Sequence, residues 1–239
     1  MSAAIVTGAA RGLGAAIAAR LHAEGWSVAL ADIDLAGATR RAASLGERAL
    51  AVELDVRVRE SWRRAHDAAR ETLGDVEALV NDAARTAAGS VLELDPDEWD
   101  DVLAVNLRGA FLGLQVVGGS MRERGHGRIV NVSSDAAFTG PGAMGAHYAA
   151  SKAGLLALTR RAAAELAASG VTVNAVAPGA LDGETFHELA PDLDAAAAAI
   201  PVGRLGREEE VASLVGWLLS DDAGYVTGAT FRIDGGATL

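Results

Sequence analysis

The stretch Thr7-Gly-Ala-Ala-Arg-Gly-Leu-Gly14 follows an apolar segment, Ala3–Thr7, and leads into a pattern in which Leu13, Ile17 and Leu21 recur every four residues. An apolar residue at every fourth position is typical of one face of an amphipathic helix. The stretch is therefore predicted to be the turn between a first strand and a first helix. Its glycine spacing, G-x3-G-x-G, is close to the dinucleotide-binding spacing G-x-G-x-x-G but not identical to it.

The glycines of this turn suit the binding of a pyrophosphate. A helix N-terminus presents unpaired backbone N–H groups and the positive end of its dipole to an anion. Gly8 permits the tight turn, Gly12 the close approach of a phosphate, and Gly14 the close packing of helix on strand. Arg11 and Leu13, which lie between them, complete the predicted cofactor contacts of this turn. Such a turn can also be purely structural, so it needs support from other residues.

Short apolar runs alternate with helical patterns along the rest of the chain. The predicted strands after the first are Ser27–Ala31, Ala49–Leu54, Ala78–Asn81, Arg128–Ser133, Val171–Val176 and Thr230–Ile233. Helical patterns lie near 58–73, 96–124, 147–169 and 207–220. Such alternation implies parallel strands joined by right-handed crossovers. We therefore predict an α/β fold, a Rossmann-type doubly wound parallel sheet of about seven strands with helices on both faces. It forms a single domain over 1–239, within which the aperiodic segment 180–203 is predicted to be a substrate-binding lid.

The composition excludes several classes of function. The formal charge of −11 disfavours nucleic-acid binding, which needs a basic surface. The chain has no cysteine, and its 5 histidines lie too far apart for a local zinc motif, so no metal site is expected. No apolar run approaches the roughly 20 residues that span a bilayer, and the N-terminus lacks the pattern of a signal peptide. We therefore expect a cytoplasmic protein that binds neither nucleic acid nor membrane.

Asp32 follows the second predicted strand, roughly 20 residues after the glycines, as the dinucleotide fingerprint requires. A carboxylate at this point can accept hydrogen bonds from the adenosine ribose and repel a 2′-phosphate. Aspartate also favours turns at strand ends, which is the alternative interpretation. Arg11, beside the phosphate turn, would instead favour NADP. We expect the acid to outweigh the arginine and predict NAD as the cofactor.

Tyr148 and Lys152 open the helical pattern at 147–169. Residues at i and i+4 share one face of a helix, so the phenol and the ammonium are expected to project together. Lys152 is the only lysine in the chain, and Tyr148 is one of 2 tyrosines. A free tyrosine titrates near pH ~10, and a nearby cation moves the pKa of a phenol toward neutrality. The pair is predicted to be an acid/base centre; the alternative is a packed tyrosine beside a solvated lysine.

These residues bring out a family resemblance: the sequence resembles the short-chain dehydrogenase/reductase family, in its compact single-domain branch. The resemblance extends over essentially the whole chain. Besides Thr7–Gly14 and Tyr148-x3-Lys152, it rests on Asp55-Val56, Asn81-Asp-Ala-Ala84, Asn106, Asn131-Val-Ser-Ser134, Asn174-Ala-Val-Ala-Pro-Gly179 and Ile233-Asp-Gly-Gly236. Each motif is short, but together they are very specific.

The resemblance implies catalytic roles for four residues. Tyr148 resembles the general acid/base that exchanges a proton with the substrate oxygen. Lys152 resembles the residue that lowers the pKa of that phenol and binds the nicotinamide ribose. Ser134 resembles the hydroxyl that orients the substrate and stabilises its developing charge. Asn106 resembles the helix-kink residue that holds a water of the proton relay.

The same resemblance implies cofactor contacts beyond the first turn. Asp55 would meet the adenine amine, and Asn81 would lie beside the adenosine ribose. The other matched positions on the cofactor are Val56, Ala83, Pro178, Gly179 and Leu181. Asn131 and Asn174 also lie in family motifs, but for both a structural hydrogen bond at a strand end is the preferred interpretation.

The chain departs from the family pattern near the predicted catalytic serine. The stretch from Ser134 to Tyr148 is one residue longer than usual, so Ser133 stays an alternative to Ser134, which matches the second serine of the motif. Asp135 follows this serine and places a carboxylate either near the substrate or in solvent.

Two further departures lie on the nicotinamide side. The usual Asn-Asn-Ala-Gly is Asn81-Asp-Ala-Ala84 here, so Ala84 replaces a glycine and backbone approach is expected to be tighter. Gly183 stands where a threonine usually contacts the carboxamide, and Thr185 is a candidate to take over that contact.

By resemblance, the substrate walls come from the turn after Ala84, the loop 135–147 and the segment 180–203. Their apolar members are Phe138, Met144, Leu181, Phe186 and Leu189, and Arg85 is a single candidate for a substrate carboxylate. We predict hydride transfer between NAD(H) and a small or medium, largely uncharged secondary alcohol or ketone.

Two alternatives remain open on the sequence. One is an NADPH-dependent reductase of 3-oxoacyl thioesters, and the other is a catalytically silent dinucleotide sensor or scaffold on the same fold. By analogy with the family, we expect a homotetramer or homodimer formed through the helices near 96–124 and 147–169 and the last strand.

Overall fold

One parallel sheet organises the computed structural model, which describes residues 2–139, 144–183, 186–187 and 192–239. Its seven strands are β1 (Ala3–Thr7), β2 (Ser27–Asp32), β3 (Ala49–Glu53), β4 (Val76–Asn81), β5 (Gly127–Val132), β6 (Val171–Pro178) and β7 (Thr230–Ile233). They lie in the order β3-β2-β1-β4-β5-β6-β7, and each neighbouring pair is parallel. This confirms the predicted doubly wound Rossmann-type sheet.

Helices connect the strands and cover both faces of the sheet. In the described residues they are α1 (Gly12–Ala23), α2 (Leu35–Leu45), α3 (Arg59–Leu73), α4 (Pro96–Arg124), α5 (Ala146–Leu166), α6 (Leu193–Ala198) and α7 (Glu208–Leu219). The helical patterns of the sequence match α3, α4, α5 and α7 closely. The short helix α6 lies within the segment 180–203, for which the sequence showed no periodicity.

The strands bury side chains on both faces because helices pack against each. Ala4 and Val6 of β1 belong to one apolar core, with buried residues of α1, α2 and α7. Ile5, which lies between them, belongs to a second core with residues of α3, α4 and α5. Alternate residues of a strand point to opposite faces, so a strand that is covered twice must be apolar throughout. This explains the nearly continuous apolar runs of the sequence.

The strand order places a crevice at the carboxyl ends of the central strands. β1 pairs with β2 on one side and with β4 on the other. The connections that leave β1 and β4 therefore diverge to opposite halves of the sheet. In open α/β sheets, ligands bind at such a switch point. The glycine-rich turn after β1 and the segment Asp82–Thr86 after β4 lie there.

The long helix α4 contains two π-helical turns, Ala104–Arg108 and Leu114–Gly118. A π-turn inserts a residue into the helix and is often found at functional sites. By length and composition α4 could cross a membrane, but 50% of its most apolar window is buried in the fold. That burial is typical of the core helix of a folded domain, and α4 packs against the second core accordingly.

Candidate active site

A cleft of about 810 Å³ lies at the carboxyl ends of the strands. Residues that follow each of β1 to β6 contribute to its walls, so the sheet brings together segments far apart in sequence. Its volume falls within the range of about 300–1,000 Å³ typical of small-molecule and cofactor sites. The cleft is therefore the candidate active site.

The turn after β1 forms the part of the cleft suited to a pyrophosphate. Gly8 and Gly12 adopt φ angles of +69° and +58°, which side chains rarely allow. A Cβ on Gly8 would lie 2.9 Å from the Cα of Ala83, so this turn and the segment after β4 need a glycine to approach. Arg11 and Leu13 line the cleft beside these two glycines, as predicted from the sequence. The N-terminus of α1 opens between them, without an acidic residue in its first turn.

Gly14 has a different function from the other two glycines. A Cβ at this position would collide with the carbonyl oxygen of Gly8 and would lie 2.8 Å from Oδ2 of Asp82. Gly14 itself is not among the cleft-lining residues. It therefore acts through the packing of α1 on the turn, as its position in the sequence suggested, and not through contact with a ligand.

Asp32 ends β2 and lines the cleft beside the phosphate turn. Its Oδ2 accepts the backbone N–H of Ala10 at 2.9 Å, and its Oδ1 accepts that of Asp34 at 2.9 Å. The carboxylate is thus held by the turn on both oxygens while it faces the cleft. The two interpretations of Asp32 are compatible in this geometry, because a carboxylate oxygen can accept more than one hydrogen bond.

Asp55 lies further along the same wall and carries a partner that sequence analysis missed. Arg57 donates to both carboxylate oxygens of Asp55, at 3.0 Å from Nε and 2.9 Å from Nη2. These hydrogen bonds lower the pKa of Asp55 below its ordinary value. The two residues are only two positions apart, so the pairing could have been suspected from the sequence. Val56, between them, also lines the cleft, and its carbonyl accepts the indole N–H of Trp62 at 3.0 Å.

The two neighbouring serines after β5 have separate tasks. The hydroxyl of Ser133 donates to the carbonyl of Lys152 at 2.9 Å, which ties β5 to α5. Ser134 is 8% exposed and its hydroxyl forms a hydrogen bond with Tyr148. The geometry therefore favours Ser134 over Ser133 as the serine that faces a substrate.

Tyr148 and Lys152 project from the first turns of α5 into the same end of the cleft. The ammonium nitrogen of Lys152 lies 5.6 Å from the ring centroid of Tyr148 and donates to the carbonyl of Val132 at 2.8 Å. Both residues are buried, with 8% of Tyr148 and 2% of Lys152 exposed. The helix spacing thus brings the phenol and the amine together, as the i, i+4 pattern predicts.

The pKa of Tyr148 shifts in the direction opposite to the one expected from the sequence. Burial raises it to about 12, and the carboxylates of Asp135 and Asp82 raise it further, against the hydrogen bond from Ser134. Burial also lowers the pKa of Lys152 to about 8, against the charge of Asp82. The sequence reasoning counted the cation beside the phenol but not the desolvation of both groups, and desolvation is the larger effect here.

Asp82 is a site residue that the sequence analysis noted only as a motif departure. It replaces the second asparagine of the usual Asn-Asn-Ala-Gly and lines the cleft after β4. Its carboxylate accepts the backbone N–H of Gly14, and burial raises its pKa to about 7 against the attraction of Lys152. A neutral amide is therefore replaced by an ionisable group at the centre of the site.

Asn106 lies in the first π-turn of α4 and is 2% exposed. Its Oδ1 accepts the backbone N–H of Arg85 at 2.8 Å, and its Nδ2 donates to the Arg85 carbonyl and the Ser151 hydroxyl, each at 3.1 Å. It thus joins the segment after β4 to α5. Asn106 does not line the main cleft, but it borders a cavity of about 10 Å³ shared with Lys152 and Asn81. Such a volume is close to that needed for one water molecule.

The other asparagines form mainly structural hydrogen bonds. Asn81 donates to Asn131 at 2.8 Å, and Asn131 donates to Thr159 at 2.9 Å. Asn174 donates to the carbonyl of Val226 at 2.7 Å. The structural interpretation of Asn131 and Asn174 fits these contacts. The expected contact of Asn81 with the adenosine ribose does not, because its buried amide faces Asn131 and the small cavity rather than the main cleft.

The remaining predicted cofactor residues all line the cleft: Ala83, Pro178, Gly179 and Leu181. Leu181 is held in place by a bridge to Gly206. Ala84 and Gly183, two of the departures from the family pattern, line it as well. Thr185, the candidate carboxamide contact, lies outside the described residues.

The predicted substrate wall is correct in part. Met144 and Phe186 line the cleft with Leu181. Phe138 does not: it is 46% exposed and packs against Arg232, whose guanidinium carbon lies 5.8 Å from the ring centroid. Leu189 lies outside the described residues.

Arg85 lines the cleft but pairs with a carboxylate of the protein. Its Nη1 lies 2.7 Å from Oδ2 of Asp101. The predicted contact with a substrate carboxylate would therefore compete with this ion pair.

The fold and the site together define a class of protein. A glycine cradle at a helix N-terminus fits a dinucleotide, and the serine, tyrosine and lysine at the other end of the same cleft supply polar groups for a carbonyl or an alcohol. These are the parts of a nicotinamide-dependent oxidoreductase.

Comparison with known proteins agrees with this class. Residues 8–238 match the family model described as Enoyl-(Acyl carrier protein) reductase, which represents short-chain dehydrogenases/reductases. The chain belongs to the short-chain dehydrogenase/reductase family, and it is an NAD(P)-dependent oxidoreductase acting on CH–OH and C=O groups. Enzymes of this family act on small-molecule substrates and are typically oligomeric.

Similar proteins act on different substrates. The chain is 40% identical to the short-chain reductase protein NovJ of Streptomyces niveus, with 98% of this chain and 93% of that protein covered. It is 37% identical to the 3-oxoacyl-[acyl-carrier-protein] reductase FabG of Escherichia coli, covering 98% and 96%. It is 39% identical to 2-(S)-hydroxypropyl-CoM dehydrogenase 3 of Xanthobacter autotrophicus, covering 98% and 95%.

A solved structure shows the same fold. A 3-oxoacyl-[acyl-carrier protein] reductase from Brucella melitensis with bound NAD superimposes with a TM-score of 0.92 at 33% identity, covering 100% of this chain and 91% of that one.

Proposed function

We propose that this protein is an NAD-linked oxidoreductase of small or medium, mainly uncharged secondary alcohols and ketones. The observation that supports the reaction is the meeting of Ser134, Tyr148 and Lys152 at one end of the cleft, with the glycine cradle at the other end. This arrangement also weighs against the alternative of a silent dinucleotide sensor, which would not need a buried phenol beside a buried amine.

The side chains of this chain would handle the proton and the orientation of the substrate. The hydroxyl of Ser134 donates to the substrate oxygen, and the phenol of Tyr148 gives that oxygen a proton in reduction or takes one in oxidation. Lys152 stabilises the ionised phenol by its charge. When bound, the nicotinamide supplies or accepts the hydride at the carbon. The residues that would hold the dinucleotide are Gly8, Arg11, Gly12, Leu13, Asp32, Asp55 and Gly179.

The preference for NAD is supported by the fixed carboxylate of Asp32. Two backbone N–H groups hold it at the wall of the cleft, so it cannot easily turn away from a 2′-phosphate. Arg11 lines the same region and acts in the other direction. We expect the wild-type protein to bind NADH at least about tenfold more tightly than NADPH, because a close like-charge contact costs more than about 1.4 kcal/mol.

Fluorescence titration with NADH and NADPH tests this preference. In the Asp32→Asn variant, the amide removes the charge and keeps the size, so the ratio of the two dissociation constants should move toward one. A wild-type protein that binds NADPH more tightly than NADH would contradict the proposal.

The second candidate is an NADPH-dependent reductase of 3-oxoacyl thioesters. Its support is the similarity to reductases of that name and the presence of Arg11 in the cleft. Two other cleft arginines, Arg57 and Arg85, are paired with Asp55 and Asp101, which weakens the case for an anionic substrate tail. A kinetic screen of secondary alcohols with NAD⁺ against acetoacetyl thioesters with NADPH separates the two candidates.

We also propose that the protein is a cytoplasmic homotetramer or homodimer. Phe111 on α4 and Trp217 on α7 are each 41% exposed, and Leu239 at the C-terminus is 98% exposed. Large apolar side chains on these elements support burial against other subunits. Sedimentation equilibrium tests this, and a mass of one subunit would refute it. The segment 180–203 stays a proposed lid, and part of it lies outside the described residues.

A further inference from the structure

One cleft carboxylate, that of Asp135, has no role in the reaction described so far. Asp135 follows Ser134 directly and begins a short 3-10 turn, Asp135–Ala137. It lines the cleft together with Ser134 and Tyr148. In the part of the chain that the structure describes, it forms no ion pair, and a charge that acts on it is that of another carboxylate, Asp234.

The carboxylate of Asp135 holds the catalytic serine. The hydroxyl of Ser134 donates to Oδ1 of Asp135 at 2.9 Å and accepts the backbone N–H of Ala136 at 3.1 Å. A serine hydroxyl has a single hydrogen to donate. While this hydrogen points at Asp135, it is not available to a substrate oxygen. Asp135 and the substrate therefore compete for one hydrogen.

The surroundings of Asp135 favour a further donor. Burial raises the pKa of its carboxyl, and Asp234 acts in the same direction, against hydrogen bonds from Ser134 and the backbone. A carboxylate has room for about four hydrogen bonds. A cation or an additional donor at this point would thus be stabilised, whereas an anion would be repelled.

We propose that Asp135 selects substrates that carry a hydroxyl or ammonium group close to the reacting carbon. This inference rests on the proposed oxidoreductase function. The donor of such a substrate replaces Ser134 at the carboxylate, and the serine hydrogen then turns toward the reacting oxygen. A substrate without a donor must break the same hydrogen bond and leaves the partly buried carboxylate without a replacement, which is costly.

Matched alcohols with NAD⁺ test the proposal. The pairs are butane-2,3-diol against butan-2-ol and 1-aminopropan-2-ol against propan-2-ol, with 3-hydroxybutanoate as the anionic probe. We expect kcat/KM to favour each donor-bearing alcohol by about tenfold or more, because a lost buried hydrogen bond has effects of this size. In Asp135→Asn, which still accepts hydrogen bonds but has no charge, the preference for the amino alcohol should fall to near unity and 3-hydroxybutanoate should improve.

A matched control and a binding measurement make the result unambiguous. Asp222 is exposed and lies outside the cleft, so Asp222→Asn removes one charge and should keep the wild-type ratios. Equal ratios in wild type and Asp135→Asn would overturn the role of Asp135. If the wild type oxidises none of these alcohols, the proposed function fails instead. The dissociation constant of 1-aminopropan-2-ol from the NADH complex, measured by calorimetry, then decides: weaker binding to Asp135→Asn supports the carboxylate subsite, and unchanged binding overturns it.

Discussion

The substitution Asp82→Asn is predicted to stabilise the protein above neutral pH. The carboxylate of Asp82 is buried after β4, accepts the backbone N–H of Gly14 and lies near Lys152. Burial raises its pKa from 3.8 to about 7. An asparagine has the same shape and can accept the same hydrogen bond through Oδ1, but it carries no charge. The substitution therefore isolates the cost of ionising this group.

The direction of the pKa shift fixes the sign of the effect. Between the ordinary pKa of 3.8 and about 7, the folded protein keeps a proton that the unfolded chain loses. The free energy of unfolding therefore falls as the pH rises through this window, and the full cost is present above it. A shift of about 3 units at about 1.4 kcal/mol each gives an upper limit of roughly 4 kcal/mol.

Lys152 reduces the expected gain. Its pKa is already lowered to about 8 by burial, and the charge of Asp82 opposes that shift. In the variant this opposition is lost, so the buried ammonium becomes more costly near neutral pH. We expect roughly half of the upper limit, about 2 kcal/mol, to remain, which corresponds to an increase in Tm of about 4–8 °C for a chain of this length.

Thermal unfolding followed by circular dichroism between about pH 5 and pH 8.5 measures this effect. The difference in Tm between Asp82→Asn and wild type should grow with pH and level off above about pH 7, while the exposed control Asp222→Asn should show no such growth. A variant that is less stable than wild type at pH 8, or a difference that does not change with pH, would refute the assignment of Asp82 as a buried ionisable group.

Three further predictions concern the site. Tyr148→Phe should lower kcat by about 10²–10⁴-fold and leave the dissociation constant of NADH within about twofold, because the phenol acts on the substrate proton; wild-type turnover in this variant would remove the proposed mechanism. Ser134→Ala should lower kcat/KM by about 10²-fold, whereas Ser133→Ala should act mainly on Tm, since Ser133 bonds the backbone of α5; the reverse order would exchange the two serines. Gly14→Ala should weaken NADH binding and lower Tm together, because the added Cβ collides with the carbonyl of Gly8; calorimetric binding equal to wild type would show that α1 can shift.

Much of the fold was predictable because it follows from local periodicity. The four-residue recurrence of Leu13, Ile17 and Leu21 identified α1, and the apolar runs identified the strands to within a few residues. The π-turns of α4 were not predictable, because an inserted residue leaves no mark on the apolar pattern. The first of them carries Asn106, whose amide joins two segments that only the tertiary fold brings together.

The site was predictable in its members more than in its electrostatics. Sequence motifs located Tyr148 and Lys152 and favoured Ser134, because these residues follow strand ends or share a helix face. They did not foresee the raised pKa of Tyr148, because desolvation depends on how completely the fold buries a group. Asn81 was placed at the ribose for a similar reason: its motif gives the position of the residue but not the direction of its amide.

The charges around Tyr148 have a consequence for the two directions of the reaction. Asp82 and Asp135 both raise the pKa of the phenol, and burial raises it to about 12. A single lysine, itself close to losing its proton at about 8, opposes them. Oxidation of an alcohol needs the ionised phenol, whereas reduction of a ketone needs the protonated one. The protein alone therefore favours the form required for reduction at neutral pH. Oxidation depends on the positive charge that an oxidised nicotinamide adds to the cleft, so its optimum should lie at a higher pH than that of reduction.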